Sequence, residues 1–176
     1  SLISLVTAAT AAALVADQAA QAIELRMLVG RIEASEEQMR QVQSEEARVV
    51  TAFQAGDVSR TEMIDGLRAV AQSGSQVIAA AGGPIARMRI LPWHESAAVA
   101  RESYLAHNRA WVDYLDRAAA DPAEFGRPQA AVNETFAAAQ GPLLAAIPAI
   151  DPFGLRARID AIFADGAIDA GPTQQA

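Results

Sequence analysis

Between residues 18 and 53 the positions Leu25, Leu28, Ile32, Ser35, Met39, Val42, Glu46, Val49 and Phe53 follow one another in alternating steps of three and four. That spacing puts one side chain per turn on a single helix face and is the spacing of a heptad seam. No proline interrupts it. Ahead of the seam, residues 1–16 are apolar and uncharged and give way abruptly to Asp17. If the two stretches are continuous, the first helix reaches about 75 Å at the usual rise per residue. A compact domain of this length cannot cover every turn of it, so part is expected to project, to pair with another chain, or to enter a membrane.

Gly56 and Asp57 end this segment, and Ser59 followed by Glu62 carries the capping-box pattern of a helix start. The second seam runs through Met63, Leu67, Val70, Gly74, Val77 and Ala81 and is expected to stop at Gly82-Gly83-Pro84, with Gly74 and Ala81 permitting close approach of a neighbour. A third helix, with Pro92 in its first turn, runs to about residue 120. At 100° per residue Trp93, Ala97, Ala100, Tyr104, His107, Trp111, Tyr114 and Ala118 share one inner arc, and Glu95, Glu102, Arg109, Asp113 and Asp116 lie opposite. After a loop over 121–128, a fourth helix over 129–140 turns Val132, Phe136 and Ala139 inward. A short last helix over 152–164 is capped by Asp151 and buries Leu155, Ile159 and Phe163. No stretch alternates apolar and polar residues as a strand does. The pattern predicts an all-α, up-down helical bundle of four main helices plus a short C-terminal helix, with an unusually long first helix. Residues 17–165 form the single domain, 1–16 an apolar helical segment, and 166–176 a tail that frays.

Composition reinforces the helices and removes several chemistries. The chain has 42 alanines and no lysine, so its fourteen basic residues are all arginine; alanine is the best helix former, and the bias suits a GC-rich genome. A net charge of −7 with scattered arginines argues against a nucleic-acid partner. The absence of cysteine rules out disulfides, thiolate metal sites and a cysteine nucleophile. Residues 1–16 fall short of the ~20 apolar residues of a membrane span and lack the basic start of a signal peptide. Two readings of them stay open, a buried helical segment and the remnant of an anchor or signal sequence.

Candidate chemistry is sparse. His94 and His107 stand on one helix about 20 Å apart by the helical rise, too far to share a metal, and neither follows a glutamate by three residues as in di-iron bundles. No HExxH, phosphate loop or dinucleotide fingerprint occurs, and the stretch 56–67 lacks the ligand spacing of a calcium loop. Ser96 and Ser103 have no glycine-rich elbow around them, and the pairs Glu36-Glu37 and Glu45-Glu46 read as solvated helix surface. We therefore expect no catalysis, no metal and no cofactor. Two groups are binding candidates. Trp93, Tyr104, His107 and Trp111 either fill the core or line a ligand pocket; a buried His107 needs a hydrogen-bond partner, for which Glu46 and Ser35 are available. Leu143, Leu144, Ile147 and Phe153, with Ile150, are interleaved with Pro142, Pro148 and Pro152 and form either a lid over the bundle end or a docking surface. The connector 85–91, with Arg87 and Arg89, shares that ambiguity. The leading expectation is a non-enzymatic interaction or scaffolding module, membrane-associated in a bacterial cell envelope, whose first helix binds a protein partner or a second copy. Alternatives are a small-ligand-binding or sensor bundle with an aromatic-lined pocket, and a cytoplasmic adaptor with no membrane link.

Overall fold

The computed structural model describes residues 2–165, with side chains over 10–164; the expected tail, 166–176, lies outside the described residues. The chain is all-helical there: α1 (Leu2–Gln54), α2 (Arg60–Ala86), α3 (Glu95–Ala120), a 3-10 turn (Pro122–Gly126), α4 (Ala130–Ala145) and α5 (Leu155–Asp165). The ends of α1 and α2 follow from local chemistry. Gly56 takes φ 80°, a conformation open to a residue without Cβ, and the amides of Gly56 and Asp57 reach back to the carbonyls of Phe53 and Ala52, each at 3.0 Å. Ser59 and Glu62 then close the capping box, Ser59 N–H donating to Glu62 Oε2 at 2.7 Å and Glu62 N–H to Ser59 Oγ at 3.3 Å. At α5, Asp151 accepts from the amides of Leu155 and Arg156 at 2.8 and 3.0 Å.

Contacts between helices define the topology. Val42 packs beside Gly74 and Val49 beside Gly66, so α2 runs antiparallel to α1. Ser75 Oγ donates to Asp116 and Gly82 meets Asn108, so α3 runs antiparallel to α2. Tyr114 meets Gln129 and His107 meets Val132, so α4 returns against α3. α5 packs on both α4 and α1 and closes the ring, with Arg26 over the Phe153 ring and Arg158 bridged to Glu33.

The core holds two apolar clusters. Leu25, Leu28, Val29, Ile32, Ile85, Leu105, Phe136, Leu143, Leu155 and Ile159 belong to one, at the end where α5 closes the ring. Met39, Val42, Val70, Ala71, Ile78, Trp111, Tyr114, Leu115 and Val132 belong to the other. In α1 the seam from Leu25 to Val42 is buried, but Phe53 is 37% exposed, so the seam outruns the cover its neighbours provide.

Four details depart from the pattern. Helix α2 continues through Gly82-Gly83-Pro84 to Ala86, and α4 continues through Pro142 to Ala145. Each proline forfeits one bond to the carbonyl four residues back, and those carbonyls belong to Ala80 and Ala138, both exposed to solvent, so water can take the place of the lost bond. On α2 the inner face also rotates: Val77 is exposed and Ile78 is fully buried. A heptad repeat drifts ~20° per seven residues on a straight helix, so a strict seam loses phase along its length. In α5 the same one-residue offset buries Ile162 and leaves Phe163 partly covered.

Candidate functional site

The inner arc of α3 is buried from Ala97 to Ala118, while Glu95, Glu102, Arg109, Asp113 and Asp116 face solvent. Tyr104, His107 and Trp111 are 0%, 2% and 3% exposed. Trp93 does not join them. It precedes the helix, whose N-cap is His94, and stands 64% exposed with its indole N–H donating to Asp17 Oδ1 at 2.8 Å. Helical phase does not govern its direction, because the chain at Trp93 is not yet helical.

A polar layer separates the two apolar clusters. Tyr104 donates to Glu36 Oε1 at 2.7 Å, and His107 Nε2 lies 3.6 Å from the same oxygen. Because Val132 O can only accept, the His107 Nδ1 facing it at 3.2 Å carries a proton. Asn108 donates to Ile78 O at 3.0 Å and lies 3.5 Å from Ser35 Oγ. Burial, and then the Glu36 charge, hold the Tyr104 hydroxyl well above its ordinary pKa, so it stays a donor. Glu36 is 5% exposed and not the solvated surface residue its pairing with Glu37 suggests. His107's neighbours are Glu36, Val132 and Thr135; Ser35 serves Asn108, and Glu46 sits farther along α1 beside Tyr114. Beside His107 lies a recess of about 10 Å³, bordered by Glu36, Met39, Gln43, Trp111 and Phe136. That is about the room one water needs and far less than a metabolite occupies. What this layer does chemically is hold α1, α3 and α4 in one register.

A second polar cluster is the feature sequence reading passed over. His94 is 3% exposed, and both its ring nitrogens face carboxylates of α1: Nδ1 lies 2.6 Å from Glu24 Oε2 and Nε2 lies 3.2 Å from Asp17 Oδ1. Glu24 Oε1 also accepts the Leu91 amide at 2.8 Å. Burial alone lowers the His94 pKa, but the hydrogen bonds and charges of Glu24 and Asp17 outweigh it and leave it raised. Hydrogen bonds from Trp93 and then His94 hold Asp17 below the usual carboxylate range. Asp17 and Glu24 thus fasten the α2–α3 connector, and Gln21 between them ties α1 to the start of α3 through Ser96 Oγ at 3.2 Å and to the end of α4 through Ala146 O at 2.9 Å. Asp17, Gln21 and Glu24 at helical spacing are the one trace this face leaves in the sequence.

In the segment 141–155, Leu143 is fully buried, and Leu144, Ile147 and Phe153 pack on the first apolar cluster, while Ile150 stands 74% exposed. Ala149 N–H donates to Gln18 Oε1 at 3.3 Å. The segment therefore lies against α1 one residue along from Trp93's contact with Asp17. Beyond this level α1 projects from the bundle: residues 10–16 are all exposed, Leu14 by 61% and Val15 by 68%. Between this arm and the 141–155 segment lies an apolar groove of about 280 Å³, walled by Leu14, Val15, Ala19, Ala22, Ile150 and Pro152. Among the described residues no cluster of three or more histidine, aspartate or glutamate side chains is arranged to hold a metal.

The arrangement defines an all-α bundle with a projecting helical arm. No family model matches the chain, and neither a curated protein nor a solved structure shows significant similarity to it.

Proposed function

We propose that this chain is a non-enzymatic helical interaction module of a bacterial cell envelope, docked on a membrane surface through the N-terminal arm of α1. The observation that carries the reading is the arm: a helix that leaves its bundle, bears no charge up to Asp17, and exposes every described side chain over 10–16. Its root is ringed by Trp93 on one side and by Ile150 and Pro152 on the other. An exposed tryptophan at the base of an apolar helix suits the boundary between water and lipid, where an amphipathic ring is favoured. No helix among the described residues is long and apolar enough to cross a membrane; the reading places the exposed turns over 10–16 at the lipid surface. With a net charge of −7 and no arginine before Arg26, attraction to anionic lipid contributes little, and zwitterionic vesicles should suffice.

The test is flotation with phosphatidylcholine vesicles, with Trp93 emission followed in a Trp111→Phe background. Binding with a blue shift, both lost when 1–16 are removed, is the expected result. A chain that stays in the aqueous fraction with unshifted emission refutes the reading. A second reading, pairing with another copy, has its own support: Ala16, Ala20, Ile23, Met27, Gly30 and Ala34 repeat the three-four spacing on the outer face of α1, with Ile23 and Met27 exposed. Light scattering of the vesicle-free chain separates the two. The ligand-binding reading of Tyr104, His107 and Trp111 is less well supported, because the space beside them is about 10 Å³.

A further inference from the structure

We infer that His94 is a proton-operated clasp, which when doubly protonated ties the α2–α3 connector to Asp17 and Glu24 at the root of the arm and when neutral releases part of that tie. The geometry alone points this way. A neutral imidazole has one N–H and can donate to one carboxylate only, so its other nitrogen would turn a lone pair toward a second negative oxygen. With carboxylate oxygens 2.6 Å from Nδ1 and 3.2 Å from Nε2, only the imidazolium satisfies both. The ring is 3% exposed, which keeps water from substituting freely for either contact.

The charged groups acting on the ring are Asp17 and Glu24, both on α1. Arg101 of α3 is turned elsewhere, to Met88 O at 2.8 Å and to Glu102. The α4–α5 linker reaches this region through an uncharged group, Ala146 O, held by Gln21. His94's pKa is raised above 6.5 and Asp17's is lowered below 3.8. The tie therefore holds on the acid side of the raised imidazole value and loosens as pH rises through it. Without the second proton, Glu24 keeps the Leu91 amide and Asp17 keeps the Trp93 indole, so the connector slackens rather than detaches. Because the clasp holds the root of the arm, docking through the arm is expected to change with pH as His94 titrates; that consequence rests on the function proposed above, and the clasp does not.

Trp93 reports on the clasp directly. Its ring lies edge-on to the His94 ring, with centroids 6.0 Å apart, and an imidazolium quenches indole emission where a neutral imidazole does so weakly. In Trp111→Phe, Trp93 emission titrated from about pH 5 to about pH 9 should rise along one proton's curve, with a midpoint above an ordinary histidine's. His94→Gln should abolish that titration. If Trp111→Phe does not fold, histidine ring resonances of the parent chain report the same midpoint. A His94 midpoint at or below the ordinary value, or a titration that survives His94→Gln, overturns the clasp. Vesicle flotation indifferent to pH while His94 titrates as expected removes the link to docking and leaves the clasp standing. No flotation at any pH, with the titration intact, refutes the proposed function instead.

Discussion

Trp93 and Trp111 sit on the same stretch of chain and meet opposite environments. Trp111 is enclosed by α1 and α4 and stacks edge-on to Tyr114 with centroids 5.7 Å apart. Trp111→Ala should cost about 3–5 kcal/mol in denaturant melts, the range for deleting a large buried aromatic. Trp93→Ala gives up one exposed hydrogen bond and should cost no more than about 1 kcal/mol. His107→Ala should cost about 1–3 kcal/mol, since it strips a partner from buried groups. A Trp111→Ala chain as stable as the parent would mean that the aromatic face of α3 is not core. Glu46 provides a pH-dependent counterpart. Half-buried next to Tyr114 and without a cation to offset the loss of water, its carboxyl is pushed up to about 7 by burial. The folded chain then holds this proton more tightly than the unfolded chain, so stability falls as pH rises between about 4.5 and about 7 and levels off above. Glu46→Gln should remove that slope and be more stable than the parent at about pH 8, by roughly 1 kcal/mol after allowing for the partly open side chain. An unchanged slope in urea melts across that range would contradict the assignment.

Among helices, two glycines in regular α-helix predict changes of opposite sign. A Cβ at Gly74 would meet Val42 Cγ1 at 2.9 Å and Leu115 Cδ1 at 3.3 Å, because α2 approaches α1 and α3 closely there. Gly74→Ala should destabilise by about 1–3 kcal/mol despite alanine's better helix propensity. At Gly30 the nearest atom would be Arg158 Nη2 at an ordinary 3.7 Å, so Gly30→Ala should stabilise by about 0.5–1 kcal/mol. Chemical melts that move both variants the same way would show the α1–α2–α3 packing to be misread. The close approach at Gly74 was legible in the sequence, since a glycine on an otherwise apolar seam supplies room rather than contact. So were the caps at Ser59 and Asp151 and the inner arc of α3, each set by residues within a few positions of one another. The helix ends at Pro84 and Pro142 were not. Whether a proline ends a helix depends in part on whether the carbonyl it leaves bare can reach water, and that depends on which side of the bundle Ala80 and Ala138 face.

At the scale of the whole molecule, what escaped the sequence joins residues far apart along the chain. His107's neighbour Glu36 lies one step off the seam, and His94's partners lie some seventy positions upstream, in a helix whose polar residues there read as plain surface. Periodicity reports which way a residue faces, not what it meets. The length of α1 was legible, and with it that some turns would lie outside the bundle; that residues 10–16 are among the exposed ones was not, since an apolar, uncharged stretch reads equally well as a buried segment. Among the described side chains of α1 the first buried one is Ala22, at 1% exposure, and Asp17 and Gln18 fasten the helix to the rest of the bundle just before it. Removing residues 1–16 therefore takes away side chains that, over 10–16, are all exposed. It leaves the clasp, the polar layer and both apolar clusters in place. The shortened chain should melt cooperatively within about 0.5 kcal/mol of the parent, as surface changes do, while losing its binding to vesicles. If the same deletion abolished cooperative unfolding, the arm would be part of the folding unit and not an appendage available for docking.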